Sequence, residues 1–351
     1  MYRNSRRDSY TSFFVLCGEE RKVIMHIPEN YLSPVSCAVM TAAMVPVWVH
    51  AVKKVKKDIP KKKMPMLGVG AAFSFIGMMF NVPMVGGTTG HAVGGTLIAL
   101  LLGPEAACIS VTIALLIQAV FFGDGGILAF GANCFNMAFA LPFVGYGVYK
   151  LITKHISGEK GKNIGAAVGS YIGINVAALL CAIEFGVQPY LFKDSLGQAL
   201  YCPYGLNVSI PSMMIAHLTV FGAVELIFTV SIYAFVRKLS PETIENRNTS
   251  AGKPVYILLA ALMAFVPIGL LATGTAWGEW GVDEMESLVG YTPSGMASGF
   301  ELTTLFPDYS IGNLPETVGY YLSAIIGVAM LVLIFKVIAS MMKEKTDFDR
   351  A

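Results

Sequence analysis

The chain has 351 residues, of which 55% are hydrophobic and only 14% are charged. Globular domains in solution carry about 25% charged residues, so this composition excludes an ordinary soluble protein. The near-neutral net charge of +2 hides a strong segregation of charge along the chain. The expected fold class is an all-α, polytopic membrane protein, which is surrounded by the lipid bilayer and has no nucleic-acid partner.

Apolar runs predict about nine transmembrane segments. A bilayer core about 30 Å thick requires about 20 apolar residues in each spanning helix, and fewer where neighbours shelter a short one. The predicted spans lie near residues 35–52, 65–82, 92–103, 106–122, 133–149, 164–184, 210–236, 254–273 and 317–340. The third and fourth spans are separated only by Gly103, Pro104 and Glu105, so one kinked hairpin of short helices is an alternative. Seven spans would form a core, and the last two a C-terminal part.

The positions of lysine and arginine orient these spans. Nineteen of the 25 basic residues lie in segments 53–63, 150–163, 237–253 and 336–351. The opposite loops contain only Lys193, and the other five basic residues lie within the first 24 positions. Cytoplasmic loops are enriched in basic residues, so the basic side is predicted to be cytoplasmic. The predicted outer side then includes residue 25 and loops 123–132, 185–209 and 274–316.

Residues 1–24 do not fit the rest of the chain. They begin like a signal peptide, but the apolar core from Phe13 to Cys17 is short and is followed by Glu19 and Glu20 rather than by a cleavage site. The codons for residues 18–22 can form a purine-rich stretch upstream of the Met25 codon, and a bacterial ribosome-binding site has the same composition and position. We therefore expect the mature chain to start at Met25. A genuine polar extension is the alternative.

If Met25 is the terminus, Met25 and His26 can supply three nitrogens to one metal ion. The free α-amine, the deprotonated amide nitrogen of His26 and its imidazole would close two fused chelate rings. A fourth nitrogen, from His91, would complete a square-planar set that favours Ni(II) or Cu(II) and that Co(II) also accepts. Calcium and magnesium prefer oxygen ligands and would be rejected.

A single histidine near a terminus or in a loop is more often a solvated polar residue than a metal ligand. The predicted convergence of His26 and His91 on the outer side favours the metal site. His91 lies in the stretch GGTTGHAVGG (86–95), whose glycines permit the backbone to fold tightly around an ion.

Five motifs then point to a known family. They are MHIPENYLSP (25–34), GGTTGHAVGG (86–95), LLGPEAA (101–107), QAVFFGDGG (118–126) and GANCFNMAFALPFVGYGVYK (131–150). In this order and spacing they resemble the substrate-capture component of energy-coupling-factor transporters for cobalt and nickel. The resemblance covers Met25 to about residue 236 and implies a metal-capture core over 25–236. It implies that the Met25 amine, His26 and His91 bind the ion.

The resemblance also implies partners and a location. The partners would be a transmembrane coupling protein and a pair of cytoplasmic ATPases, in a bacterial or archaeal cytoplasmic membrane. The extension 1–24 departs from the family pattern, because a retained extension would remove the terminal amine from the site. The GGTTGH form of the second motif looks closer to the nickel members, so nickel is slightly favoured over cobalt.

The C-terminal part is similar in layout to the small two-span accessory protein of these systems. It would comprise a cytoplasmic linker (237–253), the two-span region (254–341) with its acidic outer loop (274–316), and a cytoplasmic tail (342–351). The loop contains WGEWGVDEMES (277–287), seven acids in all and no Lys or Arg. The two tryptophans could equally form an interfacial belt.

Several polar residues lie within predicted spans, where an unpartnered polar group is costly. Asn133 and Asn136 fall in a motif shared with the resembled family, near the outer face, and we therefore place them, with Gln118, in the layer that holds the ligand loops in position. Interhelical hydrogen bonding is the alternative for each of them. His217 and Glu225 lie eight residues apart, near one helix face. We interpret them as an intramembrane ion pair or hydrogen-bonded strut, with a second metal site or proton relay as the alternative.

The sequence contains no GxxxxGK[ST] phosphate loop, so ATP hydrolysis would belong to partner subunits. The leading hypothesis is the metal-binding component of an ATP-driven uptake transporter, with Ni(II) or Co(II) as its cargo, no enzymatic activity and no organic cofactor. The alternative is a self-sufficient secondary carrier or channel for divalent transition metals, with His217 and Glu225 on the path. An intramembrane metalloenzyme ranks last, because no base or nucleophile is placed near the two histidines.

Overall fold

The computed structural model describes residues 26–84, 88–245, 252–272 and 276–342. The predicted extension 1–24 and most of the tail 342–351 lie outside these residues, as does Met25. The helices are α1 (Pro34–Asp58), α2 (Pro65–Met79), α3 (Gly95–Leu102), α4 (Pro104–Ile117), α5 (Phe130–Asn133), α6 (Leu141–His155), α7 (Gly158–Leu191), α8 (Leu206–Ala216), α9 (Gly222–Leu239), α10 (Glu242–Glu245), α11 (Lys253–Phe265), α12 (Val282–Val289), α13 (Ser294–Ala297) and α14 (Glu316–Met341). The all-α prediction is confirmed, with one small exception in the glycine-rich loop. There β1 (Val82–Pro83) pairs antiparallel with β2 (Thr89–Gly90).

Seven continuous helices among the described residues are long and apolar enough to cross a membrane. They cover Pro34–Asp58, Pro104–Phe122, Phe130–His155, Gly158–Leu191, Leu206–Leu239, Lys253–Leu271 and Glu316–Met341. Each contains or closely overlaps one predicted span. Three of these helices have proline in their first turn. Pro34 and Pro104 are the first residues of their helices, and Pro254 is the second residue of its helix. Proline is tolerated there because the first amides of a helix have no partner within it.

The two remaining predicted spans, 65–82 and 92–103, correspond to the shorter helices α2 and α3. At 1.5 Å per residue, the 15 residues of α2 reach about 22 Å and the 8 residues of α3 about 12 Å. Nearly every residue of both helices is buried, which is why both read as continuous apolar runs. Gly103, with φ of +95°, turns the chain directly from α3 into α4, which packs against it. The two helices thus form the hairpin that the sequence offered as an alternative.

The C-terminal part is packed into the core through α14, which lies against α2. Small residues allow this close approach on both sides. A side chain on Gly68 would start 3.1 Å from the carbonyl of Leu331, and one on Gly327 would meet the ring of Phe75. The core and the C-terminal part therefore share one apolar interior, in which Phe75, Tyr320 and Leu331 are buried together.

Three turns of π-helix interrupt the long helices, at Gln118–Phe122, Cys134–Ala140 and His217–Phe221. Such turns add a residue per turn and are often found at functional sites. Three polar residues singled out in the sequence lie in them, namely Gln118, Asn136 and His217.

The loops predicted to lie outside meet at one end of the bundle. The amide of Cys202 donates to the carbonyl of Tyr31, the amide of Phe306 donates to that of Phe121, and the amide of Gly295 donates to that of Leu200. The loops after α4 and α7, the residues before α1 and the loop before α14 therefore form a continuous cover at this end.

Candidate metal-capture site

The residues that precede α1 form a series of bends and turns, which we call the N-terminal segment (26–33). The side-chain amide of Asn133 and the backbone amide of Gly126 both hydrogen-bond to the backbone of this segment. Asn133 accepts a hydrogen bond from the Ile27 amide at 3.0 Å and donates to the Ile27 carbonyl at 3.2 Å. The Gly126 amide donates to the same carbonyl at 2.9 Å. The backbone next to His26 is therefore fixed from two sides.

The glycines of the loop 123–126 leave room for this segment. Gly125 has φ of +85°, and a side chain there would start 3.0 Å from the Cβ of His26. One on Gly126 would start 2.8 Å from the backbone of Glu29. The carboxylate of Glu29 in turn accepts from the amides of Ile127 and Leu128, at 2.6 and 3.2 Å. Close backbone approach thus explains the glycine pair in the QAVFFGDGG motif.

His26 is 3% exposed, and both of its ring nitrogens have neighbours. Nδ1 lies 2.9 Å from Oδ1 of Asp124, and Nε2 lies 3.3 Å from the sulfur of Met78. Asp124 is held by the C-terminal part of the chain, because the hydroxyl of Tyr309 donates to its Oδ2 at 2.6 Å. Gln118 donates to the same Tyr309 hydroxyl at 2.8 Å and to Asp124 at 3.3 Å. The contact with Asp124, which is itself held by hydrogen bonds from Tyr309 and Gln118, therefore restrains the orientation of the His26 ring.

His91 lies beside His26, as the sequence predicted. The two ring centroids are 5.3 Å apart and the rings meet edge to face. Nδ1 of His91 lies 3.3 Å from the carbonyl of Ala92. The extended backbone that carries His91 is anchored deep in the bundle, because Ser74 on α2 donates to the carbonyl of Val93 at 2.7 Å. The glycine-rich loop thus places its histidine against the N-terminal segment.

Both histidines line a cavity of about 100 Å³, which we call the histidine cavity. Its polar lining side chains are His26, Thr88, Thr89, His91, Asn133, Asn136, His217 and Glu279, and apolar side chains complete the wall. Among the described residues, no group of three or more His, Cys, Asp or Glu side chains forms a ready-made metal site. The predicted ligand set also needs Met25, which lies outside the described residues.

The remaining predicted residues are placed as follows. Asn133 holds Ile27, and Gln118 holds Asp124 and Tyr309, so both support the residues around His26. Asn136 lines the histidine cavity and donates to Glu184 on α7 at 2.8 Å.

The predicted pair between His217 and Glu225 is not formed. Nδ1 of His217 lies 2.9 Å from the carbonyl of Met213, whereas Glu225 accepts from the amides of Val93 and Gly94 at 2.8 and 3.0 Å. Eight residues of regular helix rise about 12 Å, too far for direct contact. Glu225 instead satisfies free amides at the start of the short helix α3, where a carboxylate is favoured. His217 belongs to the wall of the histidine cavity.

Sequence reasoning missed three residues at the site. Asp124 was visible in the QAVFFGDGG motif, as an acid flanked by glycines at the end of an apolar run. Glu279 lies in the WGEWGVDEMES stretch, but nothing in that stretch indicated a contact with the histidines. Tyr309 had no local signal, and both residues lie far along the chain in the outer loop (276–315). Glu279 is buried between Trp277 and Trp280, and burial, aided by the charge of Asp124, raises its pKa well above the usual range.

The same two tryptophans are half-buried and pack against other aromatic side chains of the protein. Trp277 and Trp280 lie 5.7 Å apart, and each is 5.5 Å from the ring of Tyr204. Trp277 also contacts Phe185 on α7. The hydroxyl of Tyr31 donates to the carbonyl of Trp280 at 2.8 Å, which ties the outer loop to the N-terminal segment.

Comparison with known proteins agrees with this architecture. A family described as the cobalt uptake substrate-specific transmembrane region matches residues 26–243, and a PDGLE domain matches residues 253–344. A probable fused nickel transport protein, LarMN of Lactiplantibacillus plantarum, is 49% identical and covers 89% of this chain and 97% of its own length. The fused nickel transport protein NikMN of Rhodobacter capsulatus is 46% identical, over 88% of this chain and 95% of its own length.

One further relative and one solved structure are also metal transporters by their descriptions. A cobalt transport protein of Lachnoclostridium phytofermentans is 35% identical over 46% of this chain. A crystal structure of a transition metal transporter is 58% identical, with a TM-score of 0.59, and covers 62% of this chain and 95% of its own. The relatives with these names are metal transport proteins rather than enzymes.

Proposed function

Because the chain belongs to the family of cobalt uptake substrate-specific transmembrane proteins, we propose that it is the metal-capture component of an ATP-driven uptake transporter of the energy-coupling-factor type. Its cargo is Ni(II) or Co(II), with nickel favoured. The nickel preference is supported by the form of the GGTTGH motif and by the nickel-transport names of relatives at 49% and 46% identity. Partner ATPases and a transmembrane coupling protein drive release on the cytoplasmic side.

The observation that carries this proposal is the meeting of His26 and His91, 5.3 Å apart at one buried cavity under the outer cover. Imidazole nitrogens suit Ni(II) and Co(II), and the neighbouring thioether of Met78 also favours a transition metal over calcium or magnesium. In the proposed site the Met25 amine, the amide and imidazole of His26, and His91 surround the ion.

Chelation by His26 sets a condition on its ring. A six-membered chelate ring that includes the amide nitrogen must close through Nδ1, the nitrogen that lies 2.9 Å from Asp124. Metal capture therefore turns the His26 ring about its Cβ–Cγ bond, so that Nδ1 faces the ion while Asp124, held by Tyr309, supports the turned ring through Nε2. Because the amine, the amide and the imidazole must all be free of protons in the complex, metal affinity falls as the pH is lowered.

The test is metal binding by the full chain in lipid nanodiscs, with His91→Ala compared with His155→Ala. His155 is an exposed histidine at the end of α6, and its loss should change nothing. His91→Ala removes one of four nitrogens and should weaken Ni(II) binding by at least about 100-fold. Unchanged binding by His91→Ala would overturn the proposed site.

Two further measurements separate the remaining alternatives. Intact-mass analysis of the expressed protein identifies its first residue, and a chain that keeps residues 1–24 and still binds nickel through His26 would overturn the role of the Met25 amine. Transport into liposomes that contain this chain alone, without ATP, would favour the secondary carrier or channel.

A further inference from the structure

The outer end of the molecule contains a second cavity of about 390 Å³, which we call the outer vestibule. It lies between the N-terminal segment and the outer loop. Four carboxylate side chains line it, from Glu29, Glu279, Glu301 and Asp308. Among the described residues, neither this cavity nor the histidine cavity is lined by Lys or Arg. The vestibule therefore concentrates cations near the site.

Glu279 is the one carboxylate that lines both cavities among their described lining residues. It is 7% exposed, and its Oε2 has no hydrogen-bond partner in the described structure. Its backbone is fixed, because its amide donates to the carbonyl of Ala276 and the flanking tryptophans are packed against Tyr204. A buried carboxylate oxygen without a partner is costly, and a cation passing beside it would offset that cost.

Building on the proposed capture of metal by His26 and His91, we propose that Glu279 is a transient ligand for the incoming divalent transition-metal ion. It takes the hydrated ion from the outer vestibule and passes it to the nitrogens of the histidine cavity. An oxygen ligand exchanges readily with the ion's water, whereas the final nitrogen set holds Ni(II) more strongly. Glu279 is therefore not part of the final coordination sphere.

This role predicts a distinctive kinetic signature. A group that touches the ion only in passing lowers the barrier for loading and for release equally, because the barrier is common to both directions. Its removal slows both rates by the same factor and leaves Kd unchanged. A final ligand would instead change Kd, and a group needed only for packing would change the rates according to size rather than charge.

The experiment is stopped-flow loading of the metal-free full chain in nanodiscs with Ni(II) chloride, followed by release to a chelator. Glu279→Gln keeps the shape of the side chain and replaces the carboxyl group, which can bind the ion as a carboxylate, with a neutral amide. It should slow loading and release about tenfold each, with Kd within about twofold of the parent chain. Glu286→Gln, at an exposed acid of the same loop, is the matched control and should load at the parent rate.

Glu279→Asp keeps the carboxyl group and shortens the side chain, so it should stay within about threefold of the parent rates. The transient-ligand role of Glu279 is wrong if Glu279→Asp loads as slowly as Glu279→Gln, or if Glu279→Gln loads at the parent rate. A rise in Kd with an altered Ni(II) absorption spectrum in Glu279→Gln would make Glu279 a final ligand and also overturn it. His91→Ala, measured alongside, reports separately on the proposed site: binding that survives in that variant contradicts the histidine site, whatever Glu279 does.

Discussion

The N-terminal segment and the outer loop reach His26 from opposite ends of the chain, and different contacts hold them in place. Asn133 and Gly126 pair with the backbone of Ile27 and so fix the position of the segment itself. The outer loop contributes side chains instead, chiefly the Tyr309 hydroxyl on Asp124. The backbone contacts determine whether His26, the proposed ligand, lies at the cavity. The outer loop affects only the orientation of the His26 ring. Changes to the segment should therefore cost more metal affinity than changes to the loop.

The largest effect is expected from Asn133→Ala. This change leaves the buried amide of Ile27 without its partner and removes one of the two donors to the Ile27 carbonyl, each worth about 1–3 kcal/mol. Ni(II) affinity should fall by about 10- to 100-fold by isothermal titration calorimetry. Asn163→Ala, which removes an exposed contact with Arg237, is the control. Equal affinities for both variants would contradict the anchoring role of Asn133.

Tyr309→Phe should have an intermediate effect. It removes the hydroxyl that donates to Asp124 and accepts from Gln118, so Asp124 holds the His26 ring less firmly. A loss of one such bond, at about 1 kcal/mol, predicts Ni(II) binding weakened by about fivefold. Tyr291→Phe removes a hydroxyl that accepts from the Ala199 amide, away from Asp124, and should bind as the parent does. If Tyr309→Phe lost more Ni(II) affinity than Asn133→Ala, the outer loop would matter more for metal binding than the contacts of the N-terminal segment.

The smallest effect is expected from Tyr31→Phe, at the direct contact between the two regions. The ring and its packing against Phe185 remain, but the bond to the Trp280 carbonyl is lost. The thermal midpoint should fall by about 2–4 °C, with metal affinity within about twofold. Tyr190→Phe, at a tyrosine that is 60% exposed, should leave the midpoint unchanged. A large loss of affinity in Tyr31→Phe would show that this one contact holds the N-terminal segment.

Much of the fold was predictable because a spanning helix must satisfy its own backbone and expose apolar side chains to lipid. The seven long helices followed from apolar runs alone. Helices α2 and α3 were harder to delimit, because a helix buried on every side is apolar throughout and gives no boundary signal. Helix α2 ends at Met79, three residues before strand β1, whose pairing with β2 gave no signal in the apolar run.

The parts of the candidate site that lie in short sequence motifs could be predicted from the sequence. The proximity of His26 and His91 followed from topology, since both lie at the outer ends of predicted spans that can pack together. The pairing of His217 with Glu225 was wrong, because the two residues share a helix face but lie about 12 Å apart along the axis. Asp124 and Tyr309 could not be connected from the sequence, because the bond between them joins positions 185 residues apart.

That separation along the chain has a consequence for biosynthesis. His26 is among the first residues to be made, but the tyrosine that holds its carboxylate partner is followed directly by α14, the last helix. Contacts between distant positions form only after the intervening chain has been inserted. A nascent or truncated chain therefore exposes the N-terminal segment without its Tyr309 support, and the proposed capture site reaches its full form only after Tyr309 has been made.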